Sequence, residues 1–127
     1  MPYCRGPILI VEDDRDIRET MEQLLDLEGY QVYTAANGRE GVERLTVIER
    51  PCLILLDLMM PVMNGWEFMD HLRKSDTYSG IPILVVTAAG NQRAGDLHKV
   101  ALLRKPVEIE TLLTAIHKFC EHKTRSA

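Results

Sequence analysis

Short runs of aliphatic residues alternate along the chain with longer stretches in which apolar positions recur every three or four residues, and the alternation repeats five times. Pro7 to Val11 reads as a buried strand. Ile17, Met21, Leu24 and Leu25 then fall at i, i+4, i+7 and i+8, one face of a helix closed by Gly29. Gln31 to Ala35 is a second strand, more polar and so nearer an edge. Asn37-Gly38 opens a second helix carrying Val42, Leu45 and Ile48, stopped before Pro51. Cys52 to Leu56 is apolar throughout, as expected of a strand covered by helices on both faces of a parallel sheet. A third helix runs from about Trp66 to Asp76, with Phe68, Met69 and Leu72 inward. Ile83 to Val86 is a fourth strand ending at Thr87. From Ala88 to Val100 the pattern weakens: Gly90 and Gly95 interrupt it, and Ala94, Leu97 and Val100 give only a narrow stripe. Ala101 to Leu103 is a short fifth strand, and after Lys105-Pro106 a last helix places Ile109, Leu112, Leu113, Ile116 and Phe119 on one face.

Five strand-then-helix units imply an α/β architecture, a parallel sheet with right-handed crossovers and helices on both sides. The 127 residues fit a single domain, with a core over about 8–120 and flexible ends at 1–6 and 123–127. The net charge of −4, with no concentrated basic surface, argues against direct contact with nucleic acid. The opening apolar run is too short for a signal-peptide core or a membrane span, which points to a cytoplasmic protein. Cys4, Cys52 and Cys120 are odd in number and widely spaced, so neither a disulfide framework nor a zinc site is suggested, and Cys52 reads as a buried small hydrophobe.

In parallel sheets ligands collect outside the carboxyl ends of the strands, where strand order reverses. Here the first strand ends in Glu12, Asp13 and Asp14, the third in Asp57, the fourth in Thr87 and the fifth in Lys105-Pro106. Each alone has an ordinary reading: the acids could cap the first helix, Thr87 could be a turn hydroxyl and Lys105 a solvated lysine. Together they would gather at one edge of the sheet. Clustered carboxylates raise one another's pKa or recruit a cation, and an all-oxygen set suits Mg2+ better than zinc. With a metal and Lys105 beside it, a carboxylate can be the nucleophile toward a phosphoryl group, and Asp57, alone at the end of the central strand, is the choice.

These residues carry a family resemblance. The chain resembles the receiver domain of bacterial two-component response regulators, including the small chemotaxis regulator, from about Ile8 to Phe119 through ILIVEDD, LILLDLMMPVMNG, ILVVTA and LRKPVE. The resemblance implies a flavodoxin-like (βα)5 sandwich with strand order 2-1-3-4-5. It implies that Asp57 accepts a phosphoryl group from a sensor histidine kinase or a histidine phosphotransfer protein. Asp13 would bind Mg2+ directly, Glu12 through water, and the Met59 carbonyl would be a further ligand beside Asp57. Thr87 resembles the switch hydroxyl and Lys105 its lysine partner, with the Lys105-Pro106 bond cis. Asp14 falls outside the acid pair and reads as a helix-start charge. Pro61 and Gly65 shape the loop after Asp57, and Met59, Met60, Met63 and Trp66 read as packing.

The chain also departs from the family pattern. Leu102 stands where receiver domains often carry a switch aromatic, and the 17 residues between Thr87 and Lys105 are a few fewer than usual. Both departures touch the fourth helix, fifth strand and fifth helix, the face through which a downstream protein or a second copy in a homodimer would be contacted. Met59 and Ala89, two places beyond Asp57 and Thr87, offer no polar side chain to orient an attacking water, so slow self-dephosphorylation is expected. With no output domain after Phe119, the chain is expected to act by protein contact, as a phosphorelay intermediate, or as a piece of a larger regulator. Two other readings compete with this non-enzymatic signalling module. One is a phosphorylation-independent binding module of the same fold; the other is an aspartate-nucleophile, Mg2+-dependent phosphatase, disfavoured because Met59 stands where such an enzyme needs a second Asp. A nucleotide site is not suggested, since neither a G-x-x-x-x-G-K-[ST] loop nor a G-x-G-x-x-G follows the first strand.

Overall fold

A computed structural model describes residues 6–88 and 101–126, with side chains described through Phe119. The weakly patterned stretch after Ala88, including Ala89, Gly90 and Gly95, lies outside the described residues. The strands are β1 (Ile8–Val11), β2 (Val32–Ala35), β3 (Leu53–Leu56), β4 (Ile83–Thr87) and β5 (Ala101–Arg104). The helices are α1 (Arg15–Leu27), α2 (Gly38–Leu45), α3 (Gly65–Arg73) and α4 (Ile109–Ser126), the last of these being the final helix expected from the sequence.

All pairings are parallel, in the order β2-β1-β3-β4-β5. The continuous aliphatic runs follow from this topology, because alternate residues of each strand serve opposite faces and both faces are covered. Leu9, Val11, Ile54, Leu56 and Val85 point to one side, where they meet Leu45 of α2 and Phe68, Met69 and Leu72 of α3. Ile8, Ile10, Leu53, Leu55, Leu84 and Val86 point to the other, against Met21 and Leu25 of α1 and Leu112 and Ile116 of α4. Each such fully buried side chain contributes roughly 1.5–3 kcal/mol from removal of apolar surface from water. The edge strand β2 is half-buried along most of its length, as the polar second run implies, and β5 alternates half-buried and exposed positions.

Three helices start on polar side chains that accept backbone N–H groups. Asp14 caps α1 through Ile17 N at 3.1 Å, Asn37 caps α2 through Glu40 N at 2.9 Å, and Asn64 caps α3 in a reciprocal capping box with Glu67. Gly29, at φ 92°, takes the chain out of α1 in a left-handed conformation that an L side chain resists. Several boundaries differ from expectation. α2 stops at Leu45, short of Ile48, because the Thr46 hydroxyl donates to the Glu43 carbonyl at 2.7 Å and the following N–H groups bond in tight turns. α3 stops at Arg73, short of Asp76, where Ser75 begins a new turn by accepting the Tyr78 N–H. Ile109 is exposed in the first turn of α4, so the buried stripe narrows to Leu112 and Ile116, with Leu113 and Phe119 half-buried. Cys52 is buried, as expected, and its thiol donates to the Gly6 carbonyl at 3.2 Å.

Gly65 shows how closely α3 approaches the end of β3. A Cβ there would lie 2.5 Å from the Asp57 carbonyl oxygen and 2.7 Å from Leu58 Cα, both backbone atoms that cannot rotate away. Gly65→Ala is therefore expected to lower the unfolding free energy by about 2 kcal/mol or more, read from urea denaturation. A loss below about 0.5 kcal/mol would mean that the helix start withdraws without strain.

Candidate functional site

The strand ladder does not stop at the last paired residue. The Glu12 N–H donates to the Ala35 carbonyl, the Asp57 N–H to the Val11 carbonyl and the Lys105 N–H to the Thr87 carbonyl, each at 3.0 Å. Backbone bonds thus fix the first polar residue after β1, β3 and β5 at the same edge of the sheet. Strand order reverses between β1 and β3, so the site lies at the topological switch point of a parallel sheet.

Glu12, Asp13 and Asp57 converge there, each offering a carboxylate oxygen within 4.8 Å of the others. Glu12, Asp57 and Thr87 are 1%, 5% and 2% exposed, whereas Asp13 is exposed. Lys105 enters the cluster from β5, its Nζ 2.5 Å from Glu12 Oε1 and 3.6 Å from Asp57 Oδ2. The second Glu12 oxygen accepts the Asp14 N–H at 3.0 Å, and Asp57 Oδ1 accepts the Met59 N–H at 3.4 Å. Glu12 is thereby engaged on both oxygens inside the protein, while Asp13 faces outward. The Lys105-Pro106 peptide bond is cis, as the resemblance implies.

The electrostatics follow from burial against compensation. Burial pushes the Glu12 carboxyl up from its ordinary 4.5 to about 7, with the Asp57 charge adding to the rise and the hydrogen bonds from Lys105 and Asp14 opposing it. Burial also works against the charge on Lys105, but the hydrogen bond and charge of Glu12, with Asp57 and Asp13, outweigh it and hold the lysine above its usual value. The donors are all oxygens, as a small hard cation requires, and no nitrogen or sulfur ligand stands among the three that converge.

The loop residues sort less simply. Met60 is buried and Met63 and Trp66 are packed against the core, as expected. Met59 is not: it is 60% exposed, because Leu58 and Met60 take the inward positions on either side of it. The sequence reading also missed Arg18 of α1, whose guanidinium Nη1 donates to the Glu12 carbonyl at 2.8 Å and reaches the Asp13 carbonyl at 3.4 Å. No periodicity or motif signals a side chain bonding backbone six residues away.

Comparison with known proteins decides the family. The family model described as "Response regulator receiver domain" matches residues 8–117. The chain belongs to the response regulator receiver domains. It is 33% identical over 121 residues to sporulation initiation phosphotransferase F of Bacillus subtilis, covering 92% of this chain and 95% of that protein. It is 37% identical to the response regulator MprA of Mycolicibacterium vanbaalenii, but spans only 51% of that protein's length. Among solved structures, a receiver domain protein of Methanospirillum hungatei superposes with a TM-score of 0.86 at 28% identity, over 96% of this chain and 98% of the other. A chemotaxis response regulator of Vibrio cholerae superposes at 0.81 with 32% identity, over 90% and 98%. Receiver domains are signalling modules of two-component systems that interact with histidine kinases or phosphotransfer proteins and generally bind Mg2+ at an acidic pocket. This receiver domain has such an acidic cluster, and no helix among its described residues is long and apolar enough to cross a membrane.

The raised Glu12 pKa has a sign that can be tested without metal. A carboxyl whose pKa is higher in the fold contributes stability that is complete below its unfolded value, 4.5, and lost as pH rises through about 7. Wild-type protein in chelator should lose stability relative to Glu12→Gln across that range, measured by urea unfolding. A difference independent of pH would show that the Glu12 carboxyl titrates normally.

Proposed function

We propose that this receiver domain is phosphorylated on Asp57 by a histidine kinase or phosphotransfer protein and signals through protein contacts. The observation that carries the reading is the placement of Lys105 against both Asp57 and Glu12 at the switch point, within a cluster of three carboxylates. Glu12, Asp13, Asp57 and the Met59 carbonyl would hold Mg2+, which when bound supplies positive charge to the oxygens of a transferring phosphoryl group. Asp57 is a nucleophile anchored by its own N–H on β1. An Asp57 oxygen forms the new O–P bond as the donor's P–N bond breaks, and the leaving imidazole keeps that electron pair and takes a proton from solvent. Lys105 neutralises the oxygens around the reacting atoms, and the Thr87 hydroxyl, at the end of β4, is the hydrogen-bond donor for the transferred group.

Exposed Leu102 on β5 and Ile109 on α4 supply apolar surface for a downstream partner or a second copy of the chain. The phosphatase reading finds no support at residue 59, where an exposed thioether stands in place of a general acid.

Incubation with Mg2+ and acetyl phosphate should add a single phosphoryl group to the intact mass, and Asp57→Asn should abolish the adduct. Many turnovers of released phosphate would favour the phosphatase, and no adduct in wild type would favour a phosphorylation-independent binding module. Because Met59 presents no polar group beside Asp57, the adduct should outlast many minutes once donor is removed; decay within seconds would refute that role for residue 59.

A further inference from the structure

We infer that Arg18 is a positioning residue for the acid pair, holding the backbone of Glu12 and Asp13 so that their carboxylates converge with Asp57. The inference rests on the proposed Mg2+-dependent phosphorylation of Asp57. The peptide at Glu12 is fixed on two sides: its N–H is bonded to Ala35 on β2, and its C=O accepts from Arg18 Nη1 on α1 at 2.8 Å. The same nitrogen reaches the next carbonyl, that of Asp13, at 3.4 Å. Asp14 closes the segment, its N–H on Glu12 Oε2 and its side chain on the Ile17 N–H. The direction of a carboxylate follows the direction of its backbone. With residues 12–14 held between β2 and the first turns of α1, Glu12 is directed inward onto Lys105 and Asp13 stays beside Asp57.

Arg18 is half-buried and does not touch the carboxylates through any described contact; it acts on them through main-chain oxygens. This separates positioning from simple electrostatics by sign. A cation near a divalent site opposes Mg2+ by repulsion, so loss of the guanidinium charge alone would tighten Mg2+ binding. Loss of the backbone bonds releases the acid loop and weakens it. Groups that orient metal ligands typically cost 10–100-fold in affinity when removed.

The test is a calorimetric Mg2+ titration of the full chain as wild type, Arg18→Met, Arg18→Lys and Arg15→Met, paired with acetyl phosphate phosphorylation rates across Mg2+ concentrations. Arg15→Met controls for charge on the same helix, since Arg15 is exposed and its guanidinium pairs with Glu19 at 3.0 Å. Arg18→Met should weaken Mg2+ about tenfold, with the phosphorylation rate recovering at saturating Mg2+, and Arg18→Lys should fall between Met and wild type. Arg15→Met should leave affinity within about twofold. Tighter binding in Arg18→Met, or a lowered melting temperature with unchanged Mg2+ affinity, would overturn the positioning role. Arg18→Lys gives the same decision if the methionine variant does not fold. Wild type that binds and is phosphorylated while Arg18→Met matches it refutes this inference alone; wild type that does neither refutes the proposed function with it.

Discussion

The ammonium of Lys105 lies between two carboxylates that are almost wholly removed from water, and the rest of the sheet's carboxyl edge is arranged around that fact. Buried ions persist only where they are paired and hydrogen-bonded, since desolvation alone costs several kcal/mol per charge. Here the pairing spans 93 residues of sequence, from β1 to the turn after β5. β5 is an edge strand of alternating half-buried and exposed positions, yet it must deliver its lysine to the centre of the sheet past β4. The backbone bond from Lys105 to the Thr87 carbonyl makes that delivery possible by carrying the β4–β5 ladder one residue beyond Arg104.

The loop after β3 answers a second constraint, which is to turn away from Asp57 at once while keeping the carboxylate in place. The Met63 N–H returns to the Pro61 carbonyl at 2.7 Å, which puts Val62 at the centre of a three-residue turn with φ 68°. A β-branched residue is poorly suited to that conformation, at a cost of roughly 1–2 kcal/mol. The turn is held from both sides. The Met63 carbonyl accepts the Gly38 N–H at 2.9 Å, and Asn64 immediately begins the α3 capping box. Burial of Met60, Phe68 and Met69 beside the loop offsets the local strain.

The sequence made the sheet legible because each central strand is buried on two faces, and nothing but an unbroken aliphatic run satisfies that. The polar residues ending those runs were legible for the same reason: a carboxylate after four buried aliphatics has few places to go but the strand end. Helix ends were less so, since Thr46 and Ser75 stop their helices through side-chain bonds to nearby backbone that apolar periodicity does not record. Met59 carries the same side chain as Met60, and only the alternation set by Leu58 distinguishes the exposed from the buried one. Val62 and Arg18 left no trace at all. One adopts a conformation its residue type disfavours, and the other acts through carbonyl oxygens, which every residue possesses.

Among the described residues Lys105 serves two acids at once, which constrains what the proposed phosphorylation of Asp57 would do. Lys105 is closer to Glu12 than to Asp57, so the unphosphorylated site favours the lysine–glutamate pair. A phosphoryl group on Asp57 would add negative charge at the more distant partner and would draw the ammonium toward it. Glu12 would then lose its main compensation in a position 1% exposed to water. Burial already raises the Glu12 pKa with Lys105 in place, so withdrawal of the lysine would favour the protonated carboxyl or a second cation beside it. If Asp57 is phosphorylated as proposed, metal, lysine and phosphoryl group would be coupled through one buried carboxylate. β5, which leads into the lysine, carries Leu102 on its exposed side, and a leucine has no ring to turn inward. If the proposed partner binds this face, the apolar groups it would meet among the described residues include Leu102 and Ile109.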